Sequence, residues 1–572
     1  MLRLLGPNIC VCTTLNTVQV HPINLTLAEA LLQRLHAANV DTVFGLPGVH
    51  NLAFWEAVSP VRIVGVRHEQ SAGYAADGLA RTTGRIGFAL TTSGPGAANV
   101  VAAFGEAAVS HSRVIVMSSE VSSVLRKPGV SRGILHEMRD QSALFAPLAS
   151  IDAQGRALSV SVTSADEAMR ELERALDYAD AWGEVAAYIG IPADLLGAPY
   201  LPSSATASRE VTARRISDSP KFAAAIAMIQ DSSRPVIWIG GGVNSVADQA
   251  IIQDFATRVN APVVTTFAAR GVMAAHELLV GAPIHEPEVH QLMASADALI
   301  VLGSDFDGMN TRNWQVPVPE NVVAINLRSE SVQTNLPHAH VLLGDLSQLG
   351  DLTALLTQKQ RWHEMPARIG HEVRTRLEDD PRSSDGIALV RAIESAWPSS
   401  ANIFCDMAVA GYWTAGYARQ PRQRRLAYPV GWGTLGFALP AAMGSALLAP
   451  TLAVCGDGGV MFALGELATC VQESLPLTLF IVDDGGYGML RFDQQTFGFA
   501  PRGVDLVAPD WRLLAASFDI TFAEVTDLTD LAAALAVAHQ RNTEGYPHIL
   551  LLRSAIHPPR TTSPRWREPM EN

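Results

Sequence analysis

"CGDGGVMFALGELATCVQESLPLTLFIVDDGGYGML" runs from Cys455 to Leu490. It reads as a strand, a Gly-rich turn, a helix ("FALGELATCVQESLP"), a second strand ("LTLFIV") and a second turn. The first turn carries Asp457; the second carries the pair Asp483 and Asp484. Asp457 and Asp484 lie 27 residues apart, with one helix and one strand between them. In a right-handed crossover, two such turns sit side by side at one edge of a parallel sheet. Two carboxylates there, with backbone carbonyls, suit a hard cation such as Mg2+ or Ca2+. Gly456, Gly458 and Gly459 let the backbone approach a ligand, and a following helix turns its positive end to an anion. A divalent ion beside a helix start is a seat for a diphosphate. Taken singly, each turn is an ordinary Asp-Gly turn; the pair at this spacing is what points to a site. The acid pair itself has no explanation at this level.

The same pattern extends outward. Short β-branched runs such as "RIGFALTTSGPG", "SRVIVMSS", "RPVIWIGGG", "DALIVLGSDF" and "TLAVCGDGG" alternate with helical stretches. Each run ends in Gly, Ser, Asp or Pro. This predicts an α/β chain of three doubly wound parallel-sheet domains, with ligands at the carboxyl ends of the strands. Two breaks set expected boundaries. A tail over 1–23 precedes a first unit at 24–197. A Pro/Ser/Ala-rich linker at 198–217 leads to a central unit at 218–350. A charged linker at 351–384 leads to a third unit at 385–558, and 559–572 form an irregular tail. The first and third units share a design of strand, Gly-rich turn and helix.

The chain has 572 residues, and its net charge of −14 argues against nucleic acid as a general partner. A hydrophobic fraction of 48 % is enough for several cores. The five cysteines (Cys10, Cys12, Cys405, Cys455 and Cys470) are too sparse for a disulfide framework, which suits a reducing cytoplasm. Cys10 and Cys12 lack neighbouring ligands for a metal. The N-terminus shows no signal-peptide core, and no apolar run is long enough for a membrane span.

"GDGG" followed by "VDDGGYG" resembles the thiamine-diphosphate motif, in which G-D-G is followed after some 25–30 residues by N-N. The resemblance implies that Asp457, Asp484 and the carbonyl of Gly486 hold Mg2+, which in turn holds the diphosphate. The departure is D-D where N-N is usual. "RHEQSAGYAADGLAR" and "TTSGPGAANV" resemble the pyrimidine-binding domain of the acetohydroxyacid synthase-like branch of that family. There the Glu of R-H-E bonds the aminopyrimidine nitrogen and promotes the tautomer that removes the thiazolium proton; here that is Glu69. On its residues alone, Glu69 also reads as a helix cap. "YPVGWGTLGFALPAAMGSALLAP" resembles the family's segment that bends the cofactor into a V. It implies a wedge at Leu435 and an accepting carbonyl at Gly433, although Leu435 alone reads as core. The cofactor-binding set expected on this resemblance is Glu69, Ser93, Gly94, Gly433, Leu435, Gly456, Asp457, Gly458, Gly459, Asp484, Gly486, Tyr487, Gly488 and Met489. Because the family builds its site between subunits, a homodimer or homotetramer is expected.

The resemblance covers roughly residues 24–567 and implies a 2-oxo acid substrate. The first reading is decarboxylation followed by carboligation, as in acetolactate synthases. The alternative is plain decarboxylation to an aldehyde, on a polar or cationic 2-oxo acid. After "LPG", Val49 stands where decarboxylases often carry a polar proton carrier and synthases carry Gly. His50 and His136 are the candidates to supply a proton, or are partly buried structural residues. Asp493 replaces the Trp of the synthases' acceptor wall, next to Arg491. "GSDFDGMN" (303–310) replaces the synthases' R-F-D-D-R, which argues against FAD. The glycines 240–242 are weak evidence for a nucleotide.

Overall fold

The computed structural model describes residues 25–127, 129–201, 215–363, 365–420 and 422–561. Three parallel sheets carry the chain, as the apolar runs predict. The first sheet orders its strands as Arg62–Gly65, Thr42–Gly45, Gly87–Thr91, Arg113–Glu120, Val185–Pro192 and Ser159–Ser161. The third orders them as Leu426–Ala427, Asn402–Cys405, Thr451–Gly456, Leu477–Asp483, His548–Arg553 and Thr521–Val525. These are the same topology: in each, the chain moves outward by one strand, returns across the first, and proceeds the other way. Each sheet therefore has a switch point, between its first and third strands in chain order, where the flanking loops part and leave a crevice. The central sheet, in the order Val263–Thr265, Pro235–Ile239, Ala298–Leu302, Asn321–Asn326 and His340–Leu343, has its own.

The strands are short and apolar because both faces are covered. Val185–Pro192 and Leu477–Asp483 are buried along their whole length. That is the expected state of parallel strands between helical layers. A two-residue antiparallel pair, Leu25–Thr26 with Pro199–Tyr200, ties the entry of the first unit to its exit.

The outer units meet through two helices of small residues, Glu69–Thr83 and Ala438–Ala446. A methyl at Gly78 would run into the Ala441 carbonyl, and one at Gly444 into the Ala75 carbonyl. The small-residue runs "SAGYAADGLAR" and "LPAAMGSA" are thus two sides of one close crossing, which anchors the helix that begins at Glu69.

Two expectations are corrected. The helix expected over "FALGELATCVQESLP" (462–476) is shorter, Glu466–Gln472, and a separate helical turn, Asp457–Val460, precedes it inside the Gly-rich turn. The expected linker 351–384 is not structureless. Its helix Pro366–Asp379 buries Ile369, Val373 and Leu377, an apolar stripe hidden among charges at helical spacing. Of the expected tails and linker, residues 1–24, 202–214 and 562–572 lie outside the described residues, as do Cys10 and Cys12. Just before the last of these, Thr561 Oγ1 donates to Glu286 Oε1 at 2.9 Å. Cys405, Cys455 and Cys470 are buried free thiols. Among the described residues, no helix is long and apolar enough to cross a membrane.

His548, at the head of a central strand of the third sheet, gives a pH test of the fold. It is 4 % exposed and shares a 2.7 Å hydrogen bond with Thr521 Oγ1. Burial, then the nearby Arg541, pushes its pKa down to about 4. A depressed histidine contributes stability that is present above its unfolded value and lost as pH falls toward the folded one. The gap in unfolding free energy between wild type and His548→Gln is therefore expected to narrow from pH 7.5 to pH 5 by about 2 kcal/mol. Urea melts of both proteins at the two pH values check it, because other titrations cancel in the difference. A gap that does not change with pH would show that this imidazole protonates as freely in the fold as in the unfolded chain.

Candidate functional site

The switch point of the third sheet lies between Asn402–Cys405 and Thr451–Gly456, and Asp406 and Asp457 stand on its two lips. Thr451–Gly456 pairs in parallel with Leu477–Asp483, Gly456 opposite Val482, so the two turns are adjacent as expected. Asp457 is 3 % exposed. Its carboxylate accepts from the Asp484 N–H, and the Asp484 carboxylate accepts from the Gly486 N–H. Yet Asp457 Oδ1 and Asp484 Oδ1 are both buried without a hydrogen-bond partner. Burial, then Asp484 and Asp483, pushes the Asp457 carboxyl up to about 7. Burial first, and Asp483 after it, also raises Asp484, against the pull of Arg491.

Two buried carboxylate oxygens without a partner, on adjacent turns, are costly unless a cation faces them. The turns are shaped for close approach. A Cβ at Gly458 would lie 2.7 Å from the Tyr487 ring and 3.2 Å from the Gly486 carbonyl oxygen. A methyl at Gly488 would strike the Asp484 carboxylate. Asp457, Asp484 and the Gly486 carbonyl are oxygen donors of the kind that would hold Mg2+. Among the described residues no three His, Cys, Asp or Glu side chains group to hold a metal by themselves. Met489 packs partly buried against the core.

The structure explains Asp483. Its side chain turns away from Asp484: Oδ2 accepts from Trp511 Nε1 at 3.0 Å and from Arg553 Nη1 at 3.0 Å, and Oδ1 accepts from the Gly485 N–H at 3.1 Å. It is an anchored, paired carboxylate, so the two neighbouring acids do not face each other.

Asp406 escaped the sequence reading. It is wholly buried, and its carboxylate accepts from the N–H groups of Met407 (2.9 Å), Gly436 (3.0 Å) and Phe437 (3.4 Å). These bonds hold the turn that carries Gly433 and Leu435. A Cβ at Gly459 would lie 3.0 Å from Asp406 Oδ2 and 3.8 Å from Leu435 Cδ2, so wedge turn and aspartate turn are stacked. Burial raises the Asp406 carboxyl to about 6 despite the three donors. A signal was available: Asp406 ends "NIFC" as Asp457 ends "TLAVCG".

In the first unit, the residues singled out also fall at the carboxyl edge of the sheet. Glu69 opens its helix, 6 % exposed, and Oε2 accepts from Asn99 Nδ2 at 3.0 Å. The turn before it is held by Glu466 of the third unit, whose Oε1 accepts from the N–H groups of Arg67 (3.0 Å) and His68 (3.1 Å). At the switch point, between Thr42–Gly45 and Gly87–Thr91, Ser93 Oγ lies 2.6 Å from His50 Nδ1 and 3.2 Å from His136 Nδ1. The two imidazoles meet edge to face with centroids 5.3 Å apart. Burial, then His136, lowers the His50 pKa. Gly94 has φ 60°, and a Cβ on it would lie 2.7 Å from the His136 carbonyl oxygen, so only glycine closes this turn. Its N–H donates to buried Gln141 Oε1 at 2.8 Å. Asn99, Gln141 and Glu466 act across long sequence separations and left no local signal. Val49 is 76 % exposed and joins none of these contacts.

At the central switch point Gly240 and Gly242 face Gly303. Gly242 N–H donates to the Gly303 carbonyl at 2.9 Å across the crevice, and a methyl at Gly240 would run into that same carbonyl. The glycines 240–242 serve backbone-to-backbone contact.

Known proteins resemble this chain along most of its length. Three family models match: the N-terminal TPP-binding domain of thiamine pyrophosphate enzymes over residues 25–144, the central domain over 222–353 and the C-terminal TPP-binding domain over 406–548. A probable 2-ketoarginine decarboxylase of Pseudomonas aeruginosa is 31 % identical over 521 residues, 89 % of this chain and 90 % of that protein. An acetolactate synthase of Mycobacterium bovis is 29 % identical over 83 % of this chain and 78 % of its own length. The acetolactate synthase isozyme 2 large subunit of Escherichia coli is 27 % identical over 91 % and 94 %. Identity of this extent, spread over all three sheets, means that the chain belongs to the thiamine-pyrophosphate-dependent enzymes acting on 2-oxo acids, in the branch of the acetohydroxyacid synthases and 2-oxo acid decarboxylases.

Proposed function

We propose that the chain decarboxylates a 2-oxo acid and releases the aldehyde without ligation, on a substrate with a cationic tail. The observation that carries this reading is the Ser93 hydroxyl between His50 and His136. Bound thiamine diphosphate supplies the thiazolium carbon that accepts the electrons left by CO2. Release of an aldehyde then consumes one proton at the carbon that lost CO2. A hydroxyl linking two imidazoles at the carboxyl edge of the sheet is a proton-delivery chain of the required kind. Burial, then His136, favours the neutral form of His50, and the Ser93 hydroxyl between the two rings is the atom that would relay the proton. A synthase consumes its proton too, but at the carbonyl oxygen of the acceptor rather than at the carbon that lost CO2.

The remaining roles follow the oxygen set described above. Asp457, Asp484 and the Gly486 carbonyl hold Mg2+; Gly456, Gly458, Gly459, Tyr487, Gly488 and Met489 shape the diphosphate seat. Leu435 wedges the cofactor, Gly433 offers its carbonyl to the amino group, and Ser93 and Gly94 line the pyrimidine side. Glu69 holds a proton at the aminopyrimidine nitrogen. In the resembled family the two halves of the site come from different subunits, and on that ground we infer a homodimer or homotetramer. A cationic substrate tail is suggested by Asp493. It lies on the helix Gly488–Thr496, close enough to partly buried Tyr412 to help raise that phenol after burial itself. The Pseudomonas aeruginosa relative bears the name of a decarboxylase of such a substrate.

Carboligation is the second reading, favoured by the names of the Mycobacterium bovis and Escherichia coli relatives. A panel of 2-oxo acids separates the two, with CO2, aldehyde and acetohydroxy acid products quantified. The guanidinium-bearing 2-oxo acid is expected to exceed its neutral isostere at least about 10-fold in kcat/KM and to give aldehyde; Asp493→Asn removes that preference. Acetohydroxy acid as the main product from pyruvate would overturn the proposal in favour of the second reading.

A further inference from the structure

The acid pair at the diphosphate turn adds two carboxylates where the resembled motif has two neutral amides. Asp483 is matched by Arg553, 3.0 Å away. Asp484 has a different companion. Arg491, one turn into the helix Gly488–Thr496, folds back over the loop. Its Nη1 donates to the Asp484 carbonyl at 3.2 Å, its Nη2 to the Gly485 carbonyl at 3.0 Å and its Nε to Asp505 Oδ1 at 2.8 Å. Nη1 also lies 3.8 Å from Asp484 Oδ1, the oxygen that has no hydrogen-bond partner. The Asp505 side chain is 73 % exposed while those of Arg491 and Asp484 are 22 % and 15 % exposed. Water therefore screens the Arg491–Asp505 pair far more than the Arg491–Asp484 pair. The loop has other fastenings: Tyr487 N–H donates to the Val504 carbonyl at 2.8 Å and Leu506 N–H to the Gly485 carbonyl at 3.0 Å. Its shape does not depend on Arg491 alone.

We propose that Arg491 is a positioning residue whose charge offsets Asp484, returning the metal–diphosphate seat to the charge it would have with asparagine. Without that cation, Asp484 would attract the metal but repel the trianionic diphosphate the metal must share. With it, the carboxylate serves as a ligand oxygen and the diphosphate meets no excess negative charge. The inference rests on the thiamine-diphosphate reading of the site.

A double-mutant cycle tests it, read as the dissociation constant of thiamine diphosphate at saturating Mg2+, by quenching of tryptophan fluorescence. Arg491→Gln is expected to weaken binding about 10-fold when Asp484 is present, and less than about 3-fold in the Asp484→Asn background. Arg491→Lys, which keeps the charge and loses the forked donors, stays within about 3-fold of wild type. Equal losses in both backgrounds, or a Lys variant as weak as the Gln variant, would show that Arg491 only braces the loop, and would overturn the proposal. So would an Asp484→Asn protein that no longer binds, since ligation rather than charge would then separate the two residues. A wild type that fails to bind thiamine diphosphate sinks the cofactor reading itself; binding by wild type with an additive cycle sinks this inference alone.

Discussion

Glu69→Gln is expected to keep thiamine diphosphate bound while kcat/KM falls by about 10²- to 10⁴-fold, the range of a lost general acid–base group. The side chain opens a buried helix, and Asn99 Nδ2 bonds one of its oxygens at 3.0 Å. Glutamine is isosteric, and its amide oxygen still accepts from Asn99. The turn before it remains held by Glu466, so the local fold survives. What is lost is the carboxyl group that, in the proposed function, shares a proton with the cofactor ring. The check is a pair of measurements: cofactor content of the purified variant, and deuterium exchange at the thiazolium carbon followed by NMR. Wild-type exchange in the variant would remove Glu69 from the proposed chemistry.

Asp457→Ala carries the second large effect: thiamine diphosphate and Mg2+ are expected to be lost together. Residues that only orient a metal ligand typically cost 10- to 100-fold in affinity, so removing a proposed ligand oxygen should cost at least about 100-fold. The unloaded protein behaves in the opposite sense. Its Asp457 carboxyl is pushed up to about 7 by burial and by Asp484 and Asp483. A group with a raised pKa contributes stability below its unfolded value, and that contribution disappears as pH rises through the folded one. At pH 8 the ligand-free wild type therefore carries an ionised, buried, unneutralised carboxylate. Alanine has none, so ligand-free Asp457→Ala is expected to melt above ligand-free wild type at pH 8, with the advantage shrinking at pH 6. Calorimetry at the two pH values, with and without thiamine diphosphate and Mg2+, reads both effects. A variant that melts lower at pH 8 and still binds the cofactor would contradict the assignment of Asp457.

These two residues differ in how the chain announces them. Asp457 ends an apolar strand run in a Gly-rich turn, and its partner turn follows after one helix-and-strand interval. Strand, turn and crossover are local patterns, and handedness brings the turns together, so sequence alone sets their neighbourhood. The same holds for the parallel sheets, whose continuous apolar runs record burial on both faces. Glu69 needed the resemblance, because a carboxylate at a strand–helix junction is also a routine helix cap.

The tertiary structure decided what no local pattern encodes. Asp483 has no explanation in the sequence; Trp511 and Arg553, 28 and 70 residues further on, hold it. His50 and His136 stood as separate candidates until Ser93, 43 residues from each, joined them. Asp406 was silent until the wedge turn, 30 residues on, laid two backbone N–H groups on it. The linker 351–384 gained a helix because its buried stripe needs the core of other segments to pack against. Local periodicity and turn chemistry are written in neighbouring residues and survive without a fold. Charge pairing, proton relays and buried donors depend on which distant segments the sheets bring to one edge. That is why the sequence by itself determined the architecture and the cofactor turn, while only the folded chain assigned partners to its acids and histidines.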